Sequence, residues 1–136
     1  MIYHMNSVRS ITAIVATTAV AVIGAGTPAF ASRNVGWFYT SNGRDGVFFD
    51  ADLAGHPGYE KITVCDNTTD GMGTRAIIRN QNNLDDEVLI SDPSNNGHCE
   101  SFQWDMWPEE TPLNIWVFNY KGTRAYNLEI TNNGVA

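Results

Sequence analysis

From Ser32 onward, short apolar or aromatic runs alternate with clusters of Gly, Asn and Asp. No window of a dozen residues keeps its apolar side chains at the spacing of an amphipathic helix. The pattern instead predicts eight strands, over residues 35–40, 46–51, 60–66, 74–79, 87–91, 98–104, 113–120 and 124–131. Strands of this length and spacing predict an all-β fold, an antiparallel β-sandwich of about seven to eight strands.

The last two predicted strands can be paired in two registers. If Gly122 is the second residue of a two-residue turn, Tyr120 pairs with Thr123. One face then pairs apolar residues across the strands: Val117 with Tyr126, Ile115 with Leu128, and Leu113 with Ile130. The other face exposes an aromatic ladder of Trp116, Phe118 and Tyr120. A three-residue loop would shift the pairing by one residue and turn Trp116 and Phe118 inward.

The first 31 residues have a different composition. Arg9 precedes an uncharged, largely apolar run of 15 residues, 11–25, which is followed by Pro28 and the triplet Ala29-Phe30-Ala31. The run is shorter than the roughly 20 residues that span a membrane, and small residues suit a cleavage site. We therefore predict a secretory signal peptide over residues 1–31, a single domain over residues 32–136, and a secreted, extracellular protein.

The predicted domain is acidic. After removal of Arg9 it carries 7 basic and 15 acidic residues, a net charge of −8. A nucleic-acid backbone or an anionic membrane would repel such a surface, so we expect neither as a partner. An extracellular protein or a polysaccharide, neutral or basic, is the expected partner, and the protein is expected to be a monomer without a cofactor.

Cys65 and Cys99 both lie in the predicted exported part. An even pair of cysteines in an oxidising compartment predicts a disulfide. The alternative is a metal site that includes His56, His98 or Glu100, but no Cys-x-x-Cys or His-x3-His spacing supports it. We expect a disulfide and no bound metal.

Few residues suggest catalysis. Residues 66–71 begin like a calcium loop, but Ile77 stands where such a loop needs a bidentate Glu. The acidic runs 85–87 and 109–110 are typical of solvated loops, and His56 lies in a turn sequence. Because there is also no nucleophile elbow or phosphate loop, an enzyme is the less favoured reading.

Aromatic residues are concentrated late in the chain. The predicted partner- or ligand-binding residues are Trp104, Trp107, Trp116, Phe118 and Tyr120, around a loop that Pro108 and Pro112 stiffen. A rigid loop loses little entropy on docking, and Trp and Tyr are frequent anchors of interfaces. The alternative is that these rings fill the core, as large aromatic side chains do in small sandwiches.

A resemblance to known proteins rests on two segments, Thr27-Pro28-Ala29-Phe30-Ala31 and the run from Ile62 to Gly71. In them the chain resembles functionally uncharacterised, small secreted single-disulfide β-sandwich proteins of streptomycetes and related actinomycetes. The likeness covers residues 46–131. It implies a compartment and a fold, but no activity and no functional residues.

The sequence thus favours a secreted, non-enzymatic binding protein of the extracellular space or cell wall. Two alternatives remain open. The stiff loop 107–112 suits an inhibitor of a secreted hydrolase, and exposed rings suit a carbohydrate-binding module.

Overall fold

The computed structural model describes residues 32–136, and the predicted signal peptide lies outside them. Eight strands follow one another: β1 Val35–Tyr39, β2 Gly46–Asp50, β3 Glu60–Cys65, β4 Gly73–Asn80, β5 Glu87–Asp92, β6 Glu100–Trp104, β7 Pro112–Lys121 and β8 Arg124–Val135. All eight predicted strands are confirmed, and β8 extends four residues beyond its predicted end because its last residues pair with the start of β7. No helix in residues 32–136 is long and apolar enough to cross a membrane.

The strands form two four-stranded antiparallel sheets that pack as a sandwich, as predicted. The first sheet has the order β1-β2-β3-β6, and the second has the order β5-β4-β7-β8. The inner faces bury Val47, Phe49, Ile62 and Val64 from the first sheet, and Ala76, Ile78, Leu113, Ile115 and Val117 from the second. Along each strand these residues alternate with outward-facing ones, so only one face of each sheet contributes to the core.

The predicted disulfide joins Cys65, at the end of β3, to Cys99, just before β6. Every residue of β6 is exposed, so this edge strand has no side chain anchored in the core. Backbone pairing with β3 and the disulfide therefore hold it in place.

Neither register predicted for the last hairpin is correct. Lys121 pairs with Arg124, so Gly122 is the first residue of the two-residue loop, with a φ of 59°. Two irregularities in the pairing of β7 with β8 shift the register further, and Asn127 adopts a φ of 53° within one of them. As the first register predicted, β7 turns Leu113, Ile115 and Val117 to the core and Trp116, Phe118 and Tyr120 to its other face. However, Trp116 stands opposite Ile130 instead of Asn127.

Candidate functional site

The five residues predicted to bind a partner lie in three separate places. Trp104 stands on the edge strand β6, is 60% exposed, and has its ring 6.0 Å from that of Tyr59. Trp116, Phe118 and Tyr120 lie on the outer face of the second sheet. Arg79 covers the ring of Trp116 and Arg75 covers that of Tyr120, while Phe118 is almost fully buried. The aromatic ladder is therefore present but largely shielded.

Trp107 belongs to the core and not to any surface. Its side chain is 2% exposed and it packs with the buried residues of both sheets. The loop around it is tied down, because the N–H of Glu110 donates to the carbonyl of Ala136 at 2.7 Å. The prediction of an exposed anchor was wrong for Trp107 because its indole packs into the hydrophobic core.

Large exposed aromatic residues instead lie on the outer face of the first sheet. Trp37 and Tyr39 of β1 are 45% and 43% exposed, and Phe48 of β2 stands directly opposite Trp37. We call these three residues the aromatic platform. A bulge at Gly36 creates it, since the extra residue lets Val35 face the core while Trp37 faces outward.

Two of the platform's rings, those of Trp37 and Tyr39, lie with similar tilts, while the Phe48 ring is tilted by 58° to that of Trp37. The planes of Trp37 and Tyr39 differ by 21°, and their centroids are 6.2 Å apart. Tyr39 stands opposite Gly46, where an added Cβ would lie only 2.9 Å from its Cδ1 atom. The ring settles over the strand because Gly46 has no side chain. Two nearly parallel rings therefore stand side by side, with a substantial part of each open to solvent.

Polar side chains continue the same face away from the rings. Across the sheet from Phe48 come Thr63 and Ser101, whose hydroxyl oxygens are 2.9 Å apart. The neighbouring outward row consists of Asp50, Lys61 and Gln103. The face thus combines flat apolar rings with hydroxyl, amide and charged groups that can donate and accept hydrogen bonds. Sequence reasoning missed it because VGWFY is apolar on both sides and shows no alternation.

A buried carboxylate anchors the hairpin that carries the platform. Asp45 accepts hydrogen bonds from the Asn67 N–H at 2.8 Å, the Thr68 hydroxyl at 2.9 Å and the Asn119 amide at 2.7 Å. Asn119 belongs to β7, so this side chain joins the β1–β2 hairpin to the opposite sheet. The start of β2 is thereby fixed relative to the whole sandwich.

Asp66 lies close to Asp45, and the ionised form of its carboxyl group is electrostatically unfavourable. Its Oδ2 is buried and has no hydrogen-bond partner in the part of the chain that the structure describes. Burial raises the pKa of Asp66, the Thr68 N–H partly opposes this, and the carboxylates of Asp45 and Asp92 raise it further. Burial also raises the pKa of Glu60. Both groups hold a proton in the folded state to a higher pH than in the unfolded chain, so stability falls as the pH rises through their raised pKa values.

The Asp66→Asn variant is therefore expected to be more stable than the wild type at pH 7.5. Removing a buried, unsatisfied charge is worth about 1 kcal/mol, which corresponds to a rise of roughly 4–8 °C in Tm for a domain of this size. The gain should shrink toward pH 4, because the raised pKa means that a larger share of the wild-type carboxyl is protonated there than at pH 7.5. Thermal unfolding at both pH values tests this, with Asp85→Asn in an exposed loop as the control. A lower Tm at pH 7.5 would contradict the assignment.

The carboxylates do not form a metal site in this arrangement. Among residues 32–136, no three His, Cys, Asp or Glu side chains come together in a way that could hold a metal ion. The acidic residues near Asp45 instead accept hydrogen bonds from backbone N–H groups, Asp92 from that of Asp66 and Asp66 from that of Thr68.

Comparison with known proteins yields no relative: no protein-family model, no curated protein and no solved structure matches the chain.

Proposed function

We propose that the protein is an exported, non-enzymatic binding protein that holds a neutral polysaccharide on its aromatic platform. The observation that carries this proposal is the pair of nearly parallel, half-exposed rings of Trp37 and Tyr39 on the outer face of the first sheet. One face of a pyranose ring presents C–H groups and is apolar, so it stacks on such rings. Its equatorial hydroxyls point sideways and need polar partners.

The surroundings of the platform suit such a ligand. Thr63, Ser101 and Gln103 lie on the same face and can exchange hydrogen bonds with sugar hydroxyls. Asp50 and Lys61 on this face offset each other in charge, while the domain as a whole is acidic. An anionic polymer would be repelled by the domain, and a neutral one would not. The disulfide is compatible with the oxidising compartment in which an exported protein would meet a polysaccharide.

The test is depletion binding to insoluble neutral polysaccharides. Residues 32–136, which contain both sheets and the disulfide, are mixed with suspensions of chitin, cellulose and β-1,3-glucan, and the protein left in solution is measured. Stacking of one ring on a nucleobase is worth about 1–3 kcal/mol, and a sugar ring should be worth a similar amount. Trp37→Ala is therefore expected to weaken retention about tenfold or more on the polymer that binds.

Trp104→Ala is the matched control, because Trp104 is even more exposed but lies away from the platform. It should leave retention unchanged. Gly46→Ala should weaken binding less than Trp37→Ala does, since the added methyl would displace the Tyr39 ring without removing it. Wild-type protein that stays in solution with all three polymers would overturn the proposal. Equal losses for Trp37→Ala and Trp104→Ala would show that the platform is not the site.

A further inference from the structure

The outer face of the second sheet carries a row of apolar side chains across all four strands. Leu89, Ile77, Trp116 and Ile130 stand next to one another in adjacent strands, and we call them the apolar row; Ile77 and Trp116 in its middle are partly buried, with Arg79 over the Trp116 ring. Leu89 and Ile130, at its two ends, are about half exposed, as is the neighbouring Leu128. A continuous apolar row on an outward face is a feature of docking surfaces.

The charges of this face differ from those of the rest of the domain. Of the 15 acidic residues of the chain, Glu87 is the only one at an outward position of these four strands. Arg75 and Arg79 share the face, and Arg79 donates to Glu87 from its Nε at 2.8 Å. Two copies of an acidic protein repel each other least where their acidic groups are kept apart. With two arginines and one carboxylate, this face allows such an approach.

The face is also complementary to itself. A two-fold axis along the apolar row would lay the row of one copy on the row of the other, with the strands of the two sheets aligned. Glu87 and Arg75 lie on opposite sides of the row, on neighbouring strands. The same rotation therefore brings Glu87 of one copy beside Arg75 of the second copy, twice by symmetry.

We propose that two copies of this chain associate face to face through the apolar row, in a dimer with two-fold symmetry. The sequence had suggested a monomer. Four strands spaced about 4.8 Å apart make the face only roughly 19 Å wide, so the contact is smaller than a standard interface and the dimer dissociates on dilution. The aromatic platform of each copy lies on the other sheet, outside this contact, so the inference is independent of the proposed function.

Sedimentation velocity of residues 32–136, from about 10 µM to about 1 mM, tests the dimer, because self-association depends on concentration. The wild type should shift from monomer to dimer over this range. Ile130→Asp should remain monomeric, because it places a carboxylate in the contact while its side chain, already half exposed, leaves the core untouched. Leu84→Asp adds the same charge at an exposed loop position and should still dimerise.

A second variant tests the charged part of the contact. Glu87→Arg should weaken dimerisation at least several-fold, and Arg75→Glu in the same chain should restore much of it, because the pair is exchanged across the axis. Circular dichroism confirms that each variant is folded. A wild type that stays monomeric at about 1 mM overturns the proposal, as does a dimer that persists undiminished in folded Ile130→Asp.

Discussion

Loss of the Cys65–Cys99 disulfide is expected to lower the free energy of unfolding by about 3.8 kcal/mol, because the crosslink closes a loop with a sequence separation of 34 residues. The unfolded chain gains that loop entropy when the bond is absent. The expected loss is a large fraction of the stability of a domain this small. Urea unfolding of the Cys65→Ala, Cys99→Ala double variant, compared with wild type, measures it.

Loss of the disulfide should loosen strand β6 before it affects the rest of the sandwich. β6 buries no side chain in the core, so without the disulfide its pairing with β3 and the contact of Trp104 with Tyr59 hold it. Hydrogen exchange of the β6 amides should therefore accelerate more than that of β7. Wild-type protein treated with a phosphine reductant is the second arm, since it changes no side chain. A loss below about 1 kcal/mol in both arms would mean that loop entropy is not what the disulfide contributes.

The strands and the disulfide could be predicted because their signals are local. Turn pairs such as Asn42-Gly43 and Asn96-Gly97 mark the ends of apolar runs, and two cysteines allow only one pairing. The polar end of the sandwich could not be predicted in the same way. Asp45 looks like an ordinary turn residue, and its partner Asn119 is 74 positions away.

The register of the last hairpin could not be deduced because the turn sequence is ambiguous. A glycine with positive φ can occupy the first or the second place of a two-residue loop, and each choice pairs different residues. The irregularities opposite Asn127 and Asn114 then change the pairing again, and no sequence pattern located them. As a result Ile130 and Leu128, which the first predicted register paired with Leu113 and Ile115, lie exposed on the outer face.

The sequence also could not show which aromatic side chains are exposed and so available for binding. A tryptophan in a proline-bounded loop and one in an edge strand look alike in sequence, yet Trp107 is buried and Trp104 is exposed. Trp37 and Tyr39 share a face by ordinary alternation, but that face is the outer one only because the bulge at Gly36 offsets them from Val35. A signal was available in hindsight: two aromatic residues at alternate positions, with a glycine in the following strand.

Asp45→Ala is expected to lower the free energy of unfolding by about 3 kcal/mol, because it leaves three donors, one of them fully buried, without their charged acceptor. The donors are the N–H of Asn67, the hydroxyl of Thr68 and the side-chain amide of Asn119. Chemical unfolding measures the loss. Arg44→Ala, at the exposed neighbouring position, is the control and should change stability little.

The same variant connects the fold to the proposed binding face. The Thr40 N–H donates to the Asp45 carbonyl at 2.9 Å, so the turn between β1 and β2 closes at the residue whose side chain reaches β7. Without that carboxylate the hairpin remains paired and loses its charged link to the opposite sheet, while the Ser41 N–H still donates to the Asn127 carbonyl of β8. Polysaccharide retention by folded Asp45→Ala, measured well below its Tm, should fall severalfold because the rings of Trp37 and Tyr39 are then held less firmly. Full retention together with the full stability loss would show that β1 and β2 position the platform by themselves.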